Sequence, residues 1–379
     1  MKAYIFPGQG SQYKGMGADL FEKYADMVQT ADDILGYSIV ELCLKDPDRQ
    51  LGFTQYTQPA LYVVSAMSYL DKIEKTGHLP EFLAGHSLGE YNALQASGAI
   101  SFEDGLKLVK RRGELMSLAP KGAMAAILGS TKKKISQLLK NNDLSTVDIA
   151  NHNSYDQTVI SGLEEDINRA QSIFTEDGIK FIPLNTSGAF HSRYMKSSAV
   201  EFKKYVRRFE FSPLTIDVIS NVHAKPYRQE KIIENLTSQI IRPVKWLDSV
   251  SYMLEQGVTE FEETGAGHVL TALVEKIQTQ FGQSNTEIVP DASAAKDPEA
   301  KAIQGDVTSH SESGVKNTAE TIAAWNAAYP VGTRVSVKNH DDVLETRTQA
   351  IALFGRKATI YMQGYKGYFD LGDVQPVNE

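Results

Sequence analysis

The chain has 379 residues, room for two to three domains and a sizeable buried core. It is 42% hydrophobic, too apolar for a mainly disordered polymer. Lys and Arg number 39 against 47 Asp and Glu, a net charge of −8 spread along the chain, which argues against general binding to a nucleic-acid backbone. Cys43 is the single cysteine, so neither an internal disulfide nor a cysteine-based metal cluster can form, as suits a reducing cytosol.

Met1–Pro7 is expected to form a buried strand, not a signal peptide, because the polar turn Gly8-Gln9-Gly10-Ser11-Gln12 follows at once. No stretch approaches the ~20 apolar residues of a membrane span. The expectation is a cytoplasmic α/β enzyme. Helical patterns follow around 18–35 and 59–75, the second opening with Pro59 in a first turn. Glu81–Ala84 is a short strand candidate, Glu90–Ala96 a helix, and Asp104–Met116 another. Strands alternating with helices predict a doubly wound parallel sheet.

Residues 122–187 carry a different rhythm. Strands are predicted at Ala123–Leu128, Val147–Asn151, Gln157–Ser161 and Ile179–Leu184, with helices at Lys132–Lys140 and Glu164–Glu176. That βαββαβ order is ferredoxin-like, and it reads as an insertion because helix–strand alternation resumes from Ser192. The domain expectation is a catalytic unit at 1–121 and 188–283, the inserted subdomain at 122–187, a linker at 284–319 and a small β unit at 320–379. The linker is rich in Ser, Ala, Asp, Lys and Gly. Short strands at Thr333–Val337, Ala358–Met362 and Tyr368–Leu371 suggest a small barrel or sandwich.

Gly85-His86-Ser87-Leu88-Gly89 fits G-x-S-x-G between a strand and a helix. Such a turn holds Ser87 strained and exposed, with the helix N-terminus aimed at it. A serine hydroxyl needs a base at neutral pH. Of the eight histidines, His310 lies in the linker and His340 in the tail, and His86 is too close to Ser87 along the chain to reach its hydroxyl. His78 and His152 fall in a polar loop and in the insert. His191 follows a strand end, where α/β active-site loops emerge, and position alone favours it over His223 and His268.

Several further motifs stand in order: Phe6–Gln12, Thr57-Gln58-Pro59-Ala60-Leu61, the serine motif continued to Glu90, Arg112-Gly113, Gly122–Ala126, Asn151-His152-Asn153, Gln157–Gly162, Ala189-Phe190-His191 and Pro243-Val244-Lys245-Trp246. From Met1 to about Phe281 the chain resembles the malonyl-CoA:acyl-carrier-protein transacylases of fatty acid and polyketide synthesis. The resemblance implies a hydrolase-like parallel sheet with the inserted subdomain. It implies Ser87 as acyl acceptor and His191 as its base, oriented by a backbone carbonyl placed here at Arg242, where many relatives carry Asn. It implies an oxyanion hole from the N–H groups of Gln9 and Leu88. Arg112, rather than Arg111, would clamp the malonyl carboxylate bidentately. Phe190, a ring before the catalytic histidine, would favour malonyl over methylmalonyl. Gln58 and Asn153 would support substrate or loop hydrogen bonds.

No metal or redox cofactor is implied; malonyl-CoA is a substrate, and the phosphopantetheine is carried by the acyl carrier protein. The nearest alternative is an acyl hydrolase on the same scaffold, whose members tend to lack the clamping arginine. A scaffold role for the tail is a further alternative. Thr346-Arg347-Thr348, Leu353-Phe354-Gly355 and Gly367-Tyr368-Phe369 resemble a small C-terminal domain of free-standing transacylases that load polyketide synthases in trans. The expectation is therefore a monomer that serves carrier-protein domains of a polyketide synthase, with fatty acid synthesis as the alternative.

Overall fold

The computed structural model describes residues 1–186, 188–284, 313–338, 343–353, 357–360, 362–363 and 369–377. From the N-terminus come β1 (Lys2–Phe6), α1 (Ala25–Leu35), α2 (Ile39–Lys45), α3 (Thr54–Thr76), β2 (Phe82–Gly85), α4 (Gly89–Ala96) and α5 (Phe102–Ser117). Then follow β3 (Ala123–Leu128), α6 (Lys132–Asn141), β4 (Asp148–Ser154), β5 (Gln157–Gly162), α7 (Glu164–Glu176) and β6 (Lys180–Pro183). The chain continues through α8 (Lys196–Val206), β7 (Asp217–Ile219), α9 (Ile232–Gln239), α10 (Trp246–Glu255), β8 (Glu260–Glu263) and α11 (Val269–Ser284). The tail holds α12 (Ser313–Ala328) and the strands β9 (Arg334–Val337), β10 (Leu344–Glu345), β11 (Ile351–Leu353), β12 (Lys357–Ile360), β13 (Phe369–Asp370) and β14 (Val374–Pro376).

The first sheet is parallel, in the order β7-β2-β1-β8. Helices cover both faces, which is why β1 is apolar on both. Alternation sends Tyr4 and Phe6 into the larger core with α3 and α5, and Ala3 and Ile5 into a second core with Trp246 and Val250 of α10 and Ile277 of α11. The helix expected from Pro59 begins five residues earlier, at Thr54, and Pro59 lies in its second turn. Proline there costs a single i→i−4 bond, at the Gln55 carbonyl.

Residues 123–183 form an antiparallel sheet ordered β4-β5-β3-β6, the strand order of a ferredoxin-like motif, over their own core around Ile135, Ile160 and Phe174. The chain enters and leaves at adjacent points, where Lys121 pairs with Gly188. A second seam joins β4 to the segment before α10: His152 N–H donates to Val244 C=O, and Val244 N–H to Ala150 C=O, both at 2.9 Å.

The tail differs from its expectation at the linker boundary. Ser313–Ala328 is a helix, so 313–319 is not linker. Its alanines favour helix intrinsically, while its apolar residues give little periodicity to read. The strands form two three-stranded antiparallel sheets, β10-β9-β14 and β11-β12-β13, joined by a bridge between Thr346 and Met362, not one closed barrel among the described residues. Trp325, Val335, Val337, Ile360, Leu371 and Val374 belong to a core separate from that of the body. The remaining linker from 285 to 312 lies outside the described residues, as do His310, His340, Phe354, Gly355, Gly367 and Tyr368. Among the described residues no helix is long and apolar enough to cross a membrane.

Candidate active site

Ser87 follows the C-terminal end of β2 with φ of 52°, left-handed for a non-glycine residue. Three close approaches make this turn possible. A Cβ on Gly85 would stand 1.9 Å from the Gly89 carbonyl carbon, and one on Gly89 only 2.1 Å from the Phe6 carbonyl oxygen. A Cβ on Gly8 would stand 2.5 Å from the His86 carbonyl oxygen. Backbone thus meets backbone where the β1 loop crosses the serine turn, and only hydrogen fits between them. Asn221, just beyond β7, closes the turn: its Nδ2 donates to Gly85 C=O and its Oδ1 accepts from Ser87 N–H, both at 2.7 Å. The parallel pairing of β7 with β2 delivers it there.

His191 also has a positive φ, 56°. Its Nε2 lies 2.7 Å from Ser87 Oγ. Its Nδ1 faces two carbonyls, Gln239 at 2.7 Å and Arg242 at 3.2 Å. The expected orienting carbonyl of Arg242 is therefore present but is the longer of the two, because the last turn of α9 puts Gln239 C=O nearer the ring. Two carbonyl acceptors fix Nδ1 as the protonated nitrogen and leave Nε2 free to accept from Ser87. Burial, then the Arg112 cation, holds the imidazole down to about 3.

Arg112 projects inward from α5 and is 1% exposed, whereas Arg111 sits at the surface against Glu114. One terminal nitrogen of Arg112 donates to Gln58 Oε1 at 2.7 Å. The other donates to Gln239 Oε1 at 2.9 Å and Ser87 Oγ at 3.0 Å. The guanidinium carbon lies 5.6 Å from the Tyr91 ring centre. Burial works against the charge, while Tyr91 and Glu90 support it. Glu90, fully buried in the first turn of α4, accepts from Asn221 N–H at 2.9 Å, from Tyr227 O–H at 2.7 Å and from the Gln239 amide. Burial pushes its carboxyl up to about 7.

The acyl transferase domain family matches residues 3–322 of the chain. The polyketide biosynthesis malonyl CoA-acyl carrier protein transacylase BaeC of Bacillus velezensis is 53% identical over 74% of this chain and 98% of its own length. A solved malonyl CoA-acyl carrier protein transacylase from Burkholderia pseudomallei is 49% identical, with a TM-score of 0.72 over 74% of this chain and 98% of its own. A malonyl-transacylase solved in complex with a type II polyketide synthase acyl-carrier protein is 36% identical, with a TM-score of 0.70 over 73% of this chain and 93% of its own. The chain belongs to the acyl transferase family.

The other expected site residues of this transferase fall into two groups. Gln9 and Leu88 flank the Gly8–His86 contact, and among the described residues no acceptor is recorded for either backbone N–H. The Gln9 side chain meets Thr54 Oγ1 at 3.2 Å. Phe190 is buried in the main core beside His191 and packs on Gly188. Gln58 holds Arg112 and lies 3.6 Å from Met116 Sδ, so its place is behind the guanidinium. Asn153 reaches His86 instead, its Oδ1 2.9 Å from Nε2, and His86 also leans on Trp246. Asn153 thereby ties the inserted subdomain to the serine turn. Sequence reasoning missed Gln239 and Asn221, and matched Glu90 without giving it a role. All three act through partners distant in sequence, Asn221 on Ser87, Asn221 on Glu90 and Gln239 on Arg112, and no local pattern marks them.

Proposed function

We propose that this enzyme is a malonyl-CoA:acyl-carrier-protein S-malonyltransferase that works in the cytoplasm by ping-pong transfer through Ser87. His191 Nε2 takes the Ser87 proton as Oγ attacks the malonyl thioester carbonyl. The oxyanion is met by the N–H groups of Gln9 and Leu88; one such donor typically contributes about 2.7–4 kcal/mol. Collapse breaks the C–S bond, and the CoA thiolate takes the proton back from His191. The phosphopantetheine thiol of a carrier protein then repeats the sequence in reverse, with His191 as its base. Both steps balance with these groups alone; no metal or redox cofactor enters.

The observation that carries this reading is the meeting of two groups on one hydroxyl: Ser87 Oγ lies 2.7 Å from His191 Nε2 and 3.0 Å from a terminal nitrogen of the buried Arg112. A buried guanidinium beside the nucleophile selects an acyl group with a free carboxylate, since a neutral acyl group leaves the cation unpaired. Burial is the main cause of the low His191 pKa and the Arg112 cation adds to it; a bound carboxylate would offset the second part and strengthen the base. Phe190 narrows the space for an α-methyl group, a preference worth about 1–3 kcal/mol.

Polyketide biosynthesis, with carrier domains served in trans, is favoured by the kinship with the Bacillus transacylase. The units are 1–121 with 188–283 for catalysis, 122–187 as the inserted subdomain, and a C-terminal unit in which α12 precedes the strands. The test is mass spectrometry of protein and holo carrier protein mixed with a panel of acyl-CoAs. Malonyl on Ser87 and then on the carrier is expected. Release of free malonate in place of carrier loading would make the protein a hydrolase.

A further inference from the structure

Arg112 is held by amides. Its two terminal nitrogens donate to Gln58 Oε1 and Gln239 Oε1, and among the described residues no carboxylate comes within ion-pair distance of it. The choice has a physical consequence. A carboxylate at either place would position the guanidinium and also neutralise it, removing the charge a malonyl group needs. An amide oxygen positions without neutralising. The weakness of an amide is that it can turn over and offer NH2, which faces a cation unfavourably.

Gln239 is prevented from turning over. Its Nε2 donates to Ser87 C=O at 2.7 Å and to Glu90 Oε2. Both are pure acceptors when Glu90 is ionised, so NH2 must face them and Oε1 must face Arg112. Glu90 is itself locked, because its other oxygen accepts from Asn221 N–H and Tyr227 O–H. Gln239 and Glu90 are both fully buried, so water offers neither an alternative partner.

We propose that the Gln239 side chain is a positioning residue for the substrate-carboxylate clamp, and that Glu90 acts as its polarity key by fixing which end of the amide meets Arg112. This role rests on the clamp proposed for Arg112 and is separate from that of the Gln239 backbone carbonyl, which faces His191. It explains why a carboxylate is buried one helical turn from the nucleophile without touching the reacting atoms: it acts on specificity through Gln239.

The test compares full-length wild type with Gln239→Leu, Glu90→Gln, Arg112→Ala and the Gln239→Leu/Arg112→Ala double variant. Each is read by kcat/KM for self-acylation with malonyl-CoA and with acetyl-CoA. Gln239→Leu keeps the backbone carbonyl and loses the amide; the malonyl/acetyl ratio should fall about 10- to 100-fold, chiefly through malonyl. Glu90→Gln keeps shape and loses the obligate acceptor, and the ratio should fall about 3- to 10-fold. In the Arg112→Ala background Gln239→Leu should move the ratio less than twofold, since the group it positions is gone. Equal losses for both substrates, or additive effects in the double variant, would overturn the proposal. If Gln239→Leu fails to fold, Glu90→Gln decides: an unchanged ratio refutes the key. If Arg112→Ala itself leaves the ratio unchanged, the clamp reading fails, an outcome distinguishable from failure of Gln239 alone.

Discussion

The catalytic unit and the C-terminal unit bury different things. Around Ser87 the interior holds a charged arginine, a glutamate, a histidine and two amides, joined to one another and to nearby backbone by hydrogen bonds. The tail buries Trp325, Val335, Val337, Ile360 and Leu371, with threonines as its buried polar groups among the described residues. Buried charge is expensive and is retained where it does chemistry; an apolar core of this kind only holds a shape. Among the described residues two contacts between the regions fall near the end of α3. Arg347 lies 3.9 Å from Glu74 near the end of α3, and its carbonyl oxygen would stand 2.9 Å from a Cβ on Gly77. Gln58, behind the clamp, precedes Glu74 by 74 − 58 = 16 residues on the same helix, about 24 Å along its axis. These contacts lie at the end of α3 remote from the nucleophile, so the tail touches the body away from the reacting groups.

Four experiments bear on this contrast. The largest effect should come from Ser87→Ala, which removes the acyl acceptor: covalent labelling by malonyl-CoA should vanish and transfer fall by about 10⁴-fold or more. Stoichiometric labelling of that variant would place the nucleophile elsewhere.

Next in size is Gly89→Ala. Its methyl would collide with the Phe6 carbonyl, so the serine turn and β1 cannot both keep their places. A loss of several kcal/mol in stability together with inactivity is expected, measured by chemical denaturation. A stable, fully active variant would show that the turn does not need this contact.

The third concerns pH. His191 is depressed from its ordinary range to about 3, so the folded state binds fewer protons than the unfolded one, and its contribution is lost as pH falls through 6.5 toward 3. Glu90 is raised to about 7, so the folded state binds more protons, and its effect is opposite in sign between 7 and 4.5. The two partly cancel above pH 4.5. Below it the Glu90 effect is spent and the His191 effect, about 1.4 kcal/mol per pH unit, adds to that of paired carboxylates such as Asp71 and Glu262, which wild type and variant share. Thermal melts of His191→Gln should therefore be less acid-sensitive than wild type between about pH 4.5 and 3. Parallel curves would contradict the depressed histidine.

The smallest effect on chemistry belongs to Trp325→Ala. Removing this ring should destabilise the tail by about 3–5 kcal/mol and leave self-acylation by malonyl-CoA within twofold of wild type. The KM for the cognate carrier protein should rise, as on deletion of residues 320–379. Unchanged kinetics with every carrier tested would remove the docking role, and slowed self-acylation would refute the separation of the two regions.

By itself the sequence determined the parts whose physics is local. The strand Lys2–Phe6, the βαββαβ order of 123–183 and the serine turn follow from short-range alternation, from turn glycines, and from the need for a strained residue between strand and helix. Position after a strand end favoured His191. Which arginine turns inward followed from the family resemblance and not from local pattern, because Arg111 and Arg112 share one basic helix; the packing of α5 against α3 buries the second. Tertiary structure alone decided that Gln239, not Arg242, offers His191 the nearer carbonyl, and that Asn221 closes a turn 134 residues away in sequence. The ordering of Glu90, Gln239 and Arg112 into one chain of hydrogen bonds required three separate elements, α4, α9 and α5, to meet. Such a network leaves no periodic trace in the sequence, since each member obeys a partner in space and not its neighbours along the chain.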